Sequence, residues 1–248
     1  MSTGQWVLIA AATWLVFTAA WQVCVTPRLR RFHDNDAILG FFTAAVVLWC
    51  RLAHRTRIEG LEHARSVPES GPVLYVGNHT NAIDPFIVQV GCRRMVHWLM
   101  AKDMMLPAFT DIWKLARVLP VDRTKTDSGP LRAALRLLKA GHCVGIFPEG
   151  RITRPPGTIR PFMDGVGMLA TRGKPLVVPV FIHGTPDTES VTGSVLGPSH
   201  STVRFLEPMR FEPGTPAVDA TKAIHDAMVA ASGWPALDDP MPLILGDA

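Results

Sequence analysis

The chain has one tyrosine among its 248 residues, four cysteines and no block of five or more like charges. With a single tyrosine and no basic stripe, the composition argues against nucleic acid as a partner. Cys24, Cys50, Cys92 and Cys143 form no CxxC pair, and two of them lie inside apolar runs. They read as reduced, packed thiols rather than a disulfide framework, which places the catalytic part in a reducing compartment. No GxxxxGK[ST] phosphate loop and no GxSxG nucleophile elbow occurs. His142-Cys143, and His33 with Asp34 and Asp36, fall short of a ligand set, so no metal is expected. Gly165-Val166-Gly167-Met168-Leu169-Ala170 has the spacing of a dinucleotide loop, but Arg160 to Asp164 ahead of it is no strand, and that reading is set aside.

What the chain does have is apolar sequence: 48% of residues are hydrophobic against 19% charged, with a net charge of +4. Gln5 to Val25 carries no charged side chain, and as a helix it spans about 30 Å, the thickness of a bilayer core. A cleaved signal peptide fits poorly, because no basic residue precedes the run and Pro27-Arg28 follows it. A second apolar run, Ala37 to Trp49, is short for a span. Arg28, Arg30 and Arg31 follow the first run and Arg51, Arg55 and Arg57 the second, which favours the cytoplasmic face for both. Two arrangements stay open: a spanning helix followed by an interfacial or re-entrant one, or a hairpin in one leaflet with Trp6, Trp14, Trp21 and Trp49 as interface anchors. Buried helices of a soluble core are the disfavoured alternative. The expected organisation is membrane-anchoring helices over 1–56, one catalytic domain over 57–232 and a tail over 233–248.

From Arg57 the pattern changes. Short apolar strands are expected at Val73–Val76, His97–Met100, Val118–Val121, Cys143–Phe147, Leu176–Ile182 and Val203–Leu206. Amphipathic helices are expected at Pro85–Gly91, Ala108–Leu115, Pro130–Lys139, Gly165–Thr171 and Val218–Ala231. Strands alternating with helices predict an α/β fold, a mostly parallel sheet flanked by helices. Pro186 to Pro198, rich in Gly, Ser, Thr and Pro, reads as a surface loop.

Parallel strands carry their exits to one edge, and ligands gather there. Three polar clusters follow strands: Asn78 to Asp84, Asp122-Arg123, and Pro148-Glu149-Gly150-Arg151. His79 has the chemistry of a general base, and Asp84 that of the carboxylate which fixes its tautomer. Asp84 equally suits a helix N-cap, because Pro85 follows it. Arg123 and Arg151 offer fixed forks of donors suited to phosphate, and Glu149, straight after a buried strand, is aimed into the cleft to hold Arg123 or a substrate hydroxyl.

Asn78-His79 through Asp84 resembles the HxxxxD motif of the glycerolipid acyltransferases, the family of 1-acylglycerol-3-phosphate O-acyltransferases. Met100-Ala101-Lys102 and Leu119-Pro120-Val121-Asp122-Arg123 are similar to that family's second-motif region, Phe147-Pro148-Glu149-Gly150-Arg151 to its FPEG block, and Val178-Pro179-Val180 to its fourth motif. The ordered blocks cover residues 57 to 210. The resemblance implies acyl transfer from acyl-CoA or acyl-carrier protein, as co-substrate, to a lysophospholipid hydroxyl. His79 and Asp84 would be catalytic, and Arg123, Glu149, Gly150, Arg151, Asn78 and Lys102 would bind substrate. It implies membrane lipids as partners and no further cofactor. Arg151 follows Gly150 directly where the commonest family pattern reads FPEGTR, and Thr153-Arg154 come later, so which Arg meets phosphate stays open. The FPEGRIT form, with Met163-Asp164-Gly165 downstream, is similar to members acting on 2-acylglycerophosphoethanolamine. Phosphatidic acid synthesis is the leading expectation. A membrane-anchored lipid hydrolase and a non-catalytic lipid-binding module are the rivals.

Overall fold

Val73-Leu74-Tyr75-Val76-Gly77 is buried along its whole length, as expected of a strand covered by helices on both faces. It forms the middle of a seven-stranded sheet in the computed structural model, which describes residues 2–27, 37–105, 107, 110–116, 118–122, 128–188 and 190–238. In chain order the elements are α1 (Thr3–Ala20), α2 (Ala37–Ala53), β1 (Arg57–Glu59), α3 (Leu61–Ser66), β2 (Val73–Gly77), α4 (Asp84–Gln89), β3 (Val96–Ala101), α5 (Thr110–Leu115), β4 (Leu119–Val121), α6 (Gly129–Lys139), β5 (Cys143–Ile146), α7 (Gly165–Arg172), β6 (Leu176–His183), α8 (Val191–Leu196), β7 (Thr202–Phe205) and α9 (Ala217–Ser232). The sheet order is β1-β7-β6-β2-β5-β3-β4. Every neighbouring pair is parallel except β6 with β7. The fold is therefore the expected α/β arrangement, with β2, β3, β4, β5 and β6 all ending on one edge.

The chain divides into two compact units, Met1–Val46 and Val47–Ala248. In the first, α1 continues through a π-helical turn, Trp21–Val25. Gly4–Val25 makes a helix long and apolar enough to cross a bilayer. Its large side chains point outward on every side, among them Trp6, Trp14, Leu15, Phe17 and Trp21, so it has no polar face to turn toward water.

In the second unit, residues of alternate register on the strands meet the helices. Leu74, Val76, Val144, Ile146 and Val177 pack with Ala134 and Leu138 of α6, Val166, Leu169 and Ala170 of α7, and Ala220, Ile224 and Met228 of α9. On β2 the intervening Tyr75 meets Phe205 edge-on, with ring centroids 6.3 Å apart. His54, just after α2, is fully buried. Its Nε2 donates to the Val195 carbonyl at 3.0 Å and its Nδ1 accepts from the Ser199 hydroxyl at 3.0 Å. Trp49 Nε1 donates to the same carbonyl at 3.1 Å, which ties the end of α2 to α8.

Three elements escape the sequence reading: β1, α3 and α8. Pro186 to Pro198 is not wholly loop, because Ser190 Oγ accepts the Gly193 N–H at 3.2 Å and caps α8. The beginning of the expected tail is built into the second unit. Trp234 packs edge-on against Phe181 at 4.9 Å, and Leu237 N donates to the Ile159 carbonyl at 2.9 Å. The expected helix start at Ala108 lies outside the described residues.

Gly165 and Gly167 lie in α7, and no strand precedes them, so a dinucleotide loop is absent there. Gly167 instead marks where α7 crosses α9, since a Cβ on it would run into the Ala217 carbonyl oxygen and the Thr221 hydroxyl. Gly167→Ala should lower stability by about 1–3 kcal/mol through overpacking, read as a fall in the thermal midpoint of the detergent-solubilised chain. An unchanged midpoint would contradict the close crossing.

Candidate active site

The exit of β2 is organised by one carboxylate. Asp84 is fully buried, and its Oδ2 accepts from three groups: His79 Nδ1 at 2.9 Å, Thr80 N at 2.7 Å and Asn81 N at 2.9 Å. Oδ1 accepts the Thr80 hydroxyl at 2.9 Å. All these donors precede Asp84, and neither oxygen caps α4. The capping alternative is thereby removed, and the carboxylate acts backward on its own loop. Because a carboxylate only accepts, Nδ1 carries the imidazole proton and Nε2 keeps its lone pair. The His79 side chain is 19% exposed, enough for that nitrogen to reach a substrate.

Neighbouring strand exits hold the loop. Thr80 Oγ1 meets Thr185 Oγ1 at 3.0 Å, and Asn81 Nδ2 donates to the Pro186 carbonyl at 2.8 Å, both partners lying just beyond β6. From the β5 side, Thr153 N donates to the His79 carbonyl at 2.8 Å, and Arg154 reaches the Thr80 carbonyl at 3.4 Å. The face of the His79 ring lies on Phe147, with centroids 4.4 Å apart and planes 11° from parallel. Phe147 in turn lies on Trp98 at 4.7 Å and 9°.

Glu149 turns inward. It is 6% exposed, with Oε1 accepting the His79 backbone N–H at 3.1 Å and Oε2 accepting the Arg160 N–H at 3.3 Å and the Thr153 hydroxyl. Its oxygens thus accept from the protein's own loops. Burial pushes its carboxyl up from 4.5 to about 8, against the His79 and Arg160 N–H donors that pull it down. Gly150 next to it has φ of +75°, where a side chain would be strained and would meet Met163 Cε at 2.8 Å.

Asn78 is brought to the site but faces away from it. Its amide bonds both ways with the Ile182 backbone, donating at 2.9 Å and accepting at 2.7 Å, which extends the β2–β6 ladder past Gly77. Lys102 stands at the β3 exit, 57% exposed and 3.5 Å from the Asp122 carboxylate at the β4 exit, a pairing worth under about 1 kcal/mol. Arg151 is half-buried, and no hydrogen bond or ion pair links it to His79 among the described residues. Arg123 lies outside the described residues. The sequence reading gave no role to Thr80, Asn81, Phe147 or Thr153, though it quoted them in its motifs, and did not single out Trp98 or Thr185. The available signal was glycine at 77 and 145 in otherwise apolar strands, which marks close approach by another group.

The Glu149 shift has a testable consequence. Between about 4.5 and about 8 the folded chain holds a proton there that the unfolded chain has lost, so its contribution to stability is complete below that window and declines as pH rises through it. The slope is up to ~1.4 kcal/mol per pH unit. Thermal midpoints measured from pH 5 to 8 should fall more steeply for wild type than for Glu149→Gln, and parallel curves would refute the buried proton.

Comparison with known proteins identifies the family. A family model described as Acyltransferase matches residues 55–183, which include His79, Asp84, Lys102, Glu149, Gly150 and Arg151. A protein of Limnanthes douglasii named 1-acyl-sn-glycerol-3-phosphate acyltransferase is 26% identical over 240 residues, covering 90% of this chain and 78% of that one. A Bacillus subtilis protein of the same name is 27% identical over 125 residues, 48% of this chain and 59% of its own. The crystal structure of the 1-acyl-sn-glycerophosphate (LPA) acyltransferase PlsC from Thermotoga maritima superposes with a TM-score of 0.61, covering 80% of this chain and 82% of that one. At 18% identity that likeness speaks for the fold alone. The family model spans more than half of the 248 residues and takes in the whole His79–Asp84 loop, so the chain belongs to the acyltransferase family.

Proposed function

We propose that this enzyme moves a fatty acyl group from an acyl-CoA or acyl-carrier-protein thioester to the free hydroxyl of 1-acylglycerol-3-phosphate, giving phosphatidic acid, with no further cofactor. The observation that carries the reading is the 2.9 Å contact from His79 Nδ1 to buried Asp84, which leaves Nε2 as the free base. Relatives named for this acceptor support the substrate.

The chemistry needs one proton acceptor and no nucleophile on the protein. Nε2 takes the proton of the acceptor hydroxyl as its oxygen attacks the thioester carbonyl carbon. The tetrahedral oxyanion collapses, the C–S bond breaks, and the departing thiolate takes the proton back from the imidazolium. Asp84 stabilises that cation and holds the ring against rotation. Arg151 and Arg123 hold the acceptor's phosphate through charge-assisted bonds. Glu149 supports the wall of that subsite from behind, by gripping the His79 backbone. Acceptor and product are bilayer lipids, and the apolar helix Gly4–Val25 anchors the catalytic unit at the cytoplasmic face, where Arg51, Arg55 and Arg57 meet anionic headgroups.

The test is transfer of labelled acyl groups by membranes carrying the enzyme, offered a panel of lysolipids. His79→Ala should lower the rate by about 10²–10⁴ while the protein stays folded and membrane-bound; equal rates from both would sink the general-base reading. Arg151→Ala should raise KM for the phosphate-bearing acceptor about 10- to 100-fold with kcat little changed, as loss of a charge-assisted contact requires. Product from 2-acylglycerophosphoethanolamine in place of 1-acylglycerol-3-phosphate would reassign the acceptor.

A further inference from the structure

The two rings stacked beneath His79 have no part in the proton transfer, yet the strands are shaped around them. Trp98 of β3 stands opposite Gly145 of β5 in register, and a Cβ on Gly145 would run into the indole. A Cβ on Gly77 at the end of β2 would lie 2.8 Å from Phe147 Cε1. Two strand positions that ordinarily favour Val or Ile are therefore glycine, and the space each leaves is filled by an aromatic ring. Phe147 and Trp98 are 8% and 7% exposed, so both belong to the wall rather than to the open cleft.

A hydrogen bond at Nδ1 fixes one edge of an imidazole but leaves the ring free to tilt about that contact. A flat ring parallel to it at 4.4 Å removes the tilt. The same face carries the negative part of the phenyl quadrupole, which attracts the imidazole more strongly once it is charged. We propose that Phe147, backed by Trp98, is a positioning residue for His79: the stack fixes the plane in which Nε2 meets the acceptor hydroxyl and stabilises the imidazolium formed on proton transfer. This rests on the general-base reading of His79. The charged groups packed about the ring are Asp84 on its Nδ1, Glu149 on its backbone N–H, Arg154 on the Thr80 carbonyl and Arg160 beside Glu149. All four are retained in the variants below.

The experiment is the pH profile of kcat/KM for acyl transfer, with folding checked by circular dichroism. Phe147→Leu should lower kcat on the order of ten-fold by misplacing the base. It should also move the acidic limb down by about half to one pH unit, with acceptor KM within about two-fold of wild type. Phe147→Tyr, which keeps the ring, should hold the limb in place. Trp98→Leu against Trp98→Phe gives the same contrast one layer down, and decides the matter if Phe147→Leu fails to fold. An unmoved limb in the leucine variants, whatever their loss of rate, overturns the stack as a positioning device. His79→Ala at wild-type rate overturns instead the reading on which it rests.

Discussion

Four hydrogen bonds converge on the buried Asp84 carboxylate, and the candidate site depends on them. Burying a carboxylate is costly unless its oxygens are satisfied, so the loop from His79 to Asn81 must curl back over the residue that ends it. Curling brings the imidazole to the carboxylate and leaves its other nitrogen toward the cleft. The tautomer of the proposed base is thus set by the folding of its own loop. Structure and chemistry here use the same atoms, because a loop that opened would lose both its backbone partners and the orientation of its histidine.

Glu149 repeats the device from the next strand with a different outcome. It too is buried and accepts two backbone N–H groups, from His79 and Arg160, but no ring N–H, and burial leaves its carboxyl up at about 8. It clamps the β5 exit to the β2 exit through the His79 N–H, while Thr153 returns a bond to the His79 carbonyl. His79 is therefore held at its backbone from β5, at its ring edge by Asp84 and at its ring face by Phe147. Two of these supports, the backbone clamp and the ring face, come from the β5 exit, and the third from the loop that follows β2. A parallel sheet whose neighbouring exits meet at one edge is the arrangement that lets them combine.

The catalytic unit also reaches beyond the sheet. His54 and Trp49 tie the end of α2 to the Val195 carbonyl of α8. The segment leading into α8 carries Thr185 and Pro186, which bond to Thr80 and Asn81. Two sets of hydrogen bonds, at the two ends of the 185–195 segment, thus hold it to the last turn of α2 and to the loop after β2.

Local chemistry carried far in this chain. Continuous apolar runs bounded by Gly and Pro located six of the seven strands, since strands buried on both faces must be apolar throughout. The ordered polar blocks at their exits placed His79, Asp84 and Glu149 at one edge before any coordinates. Arg57–Glu59 escaped because three residues of edge strand hold too few side chains for a period to show. The helix within 186–198 escaped because its Thr and Gly read as loop until Ser190 is seen to cap it. Only the tertiary structure decided that Asp84 orients rather than caps, that Asn78 serves the sheet rather than the substrate, and that Trp98 and Phe147 lie under the histidine. Those roles rest on partners distant along the chain, as Ile182 is from Asn78 and Phe147 from His79, or on which way a carboxylate points. A spacing of residues along the chain contains neither.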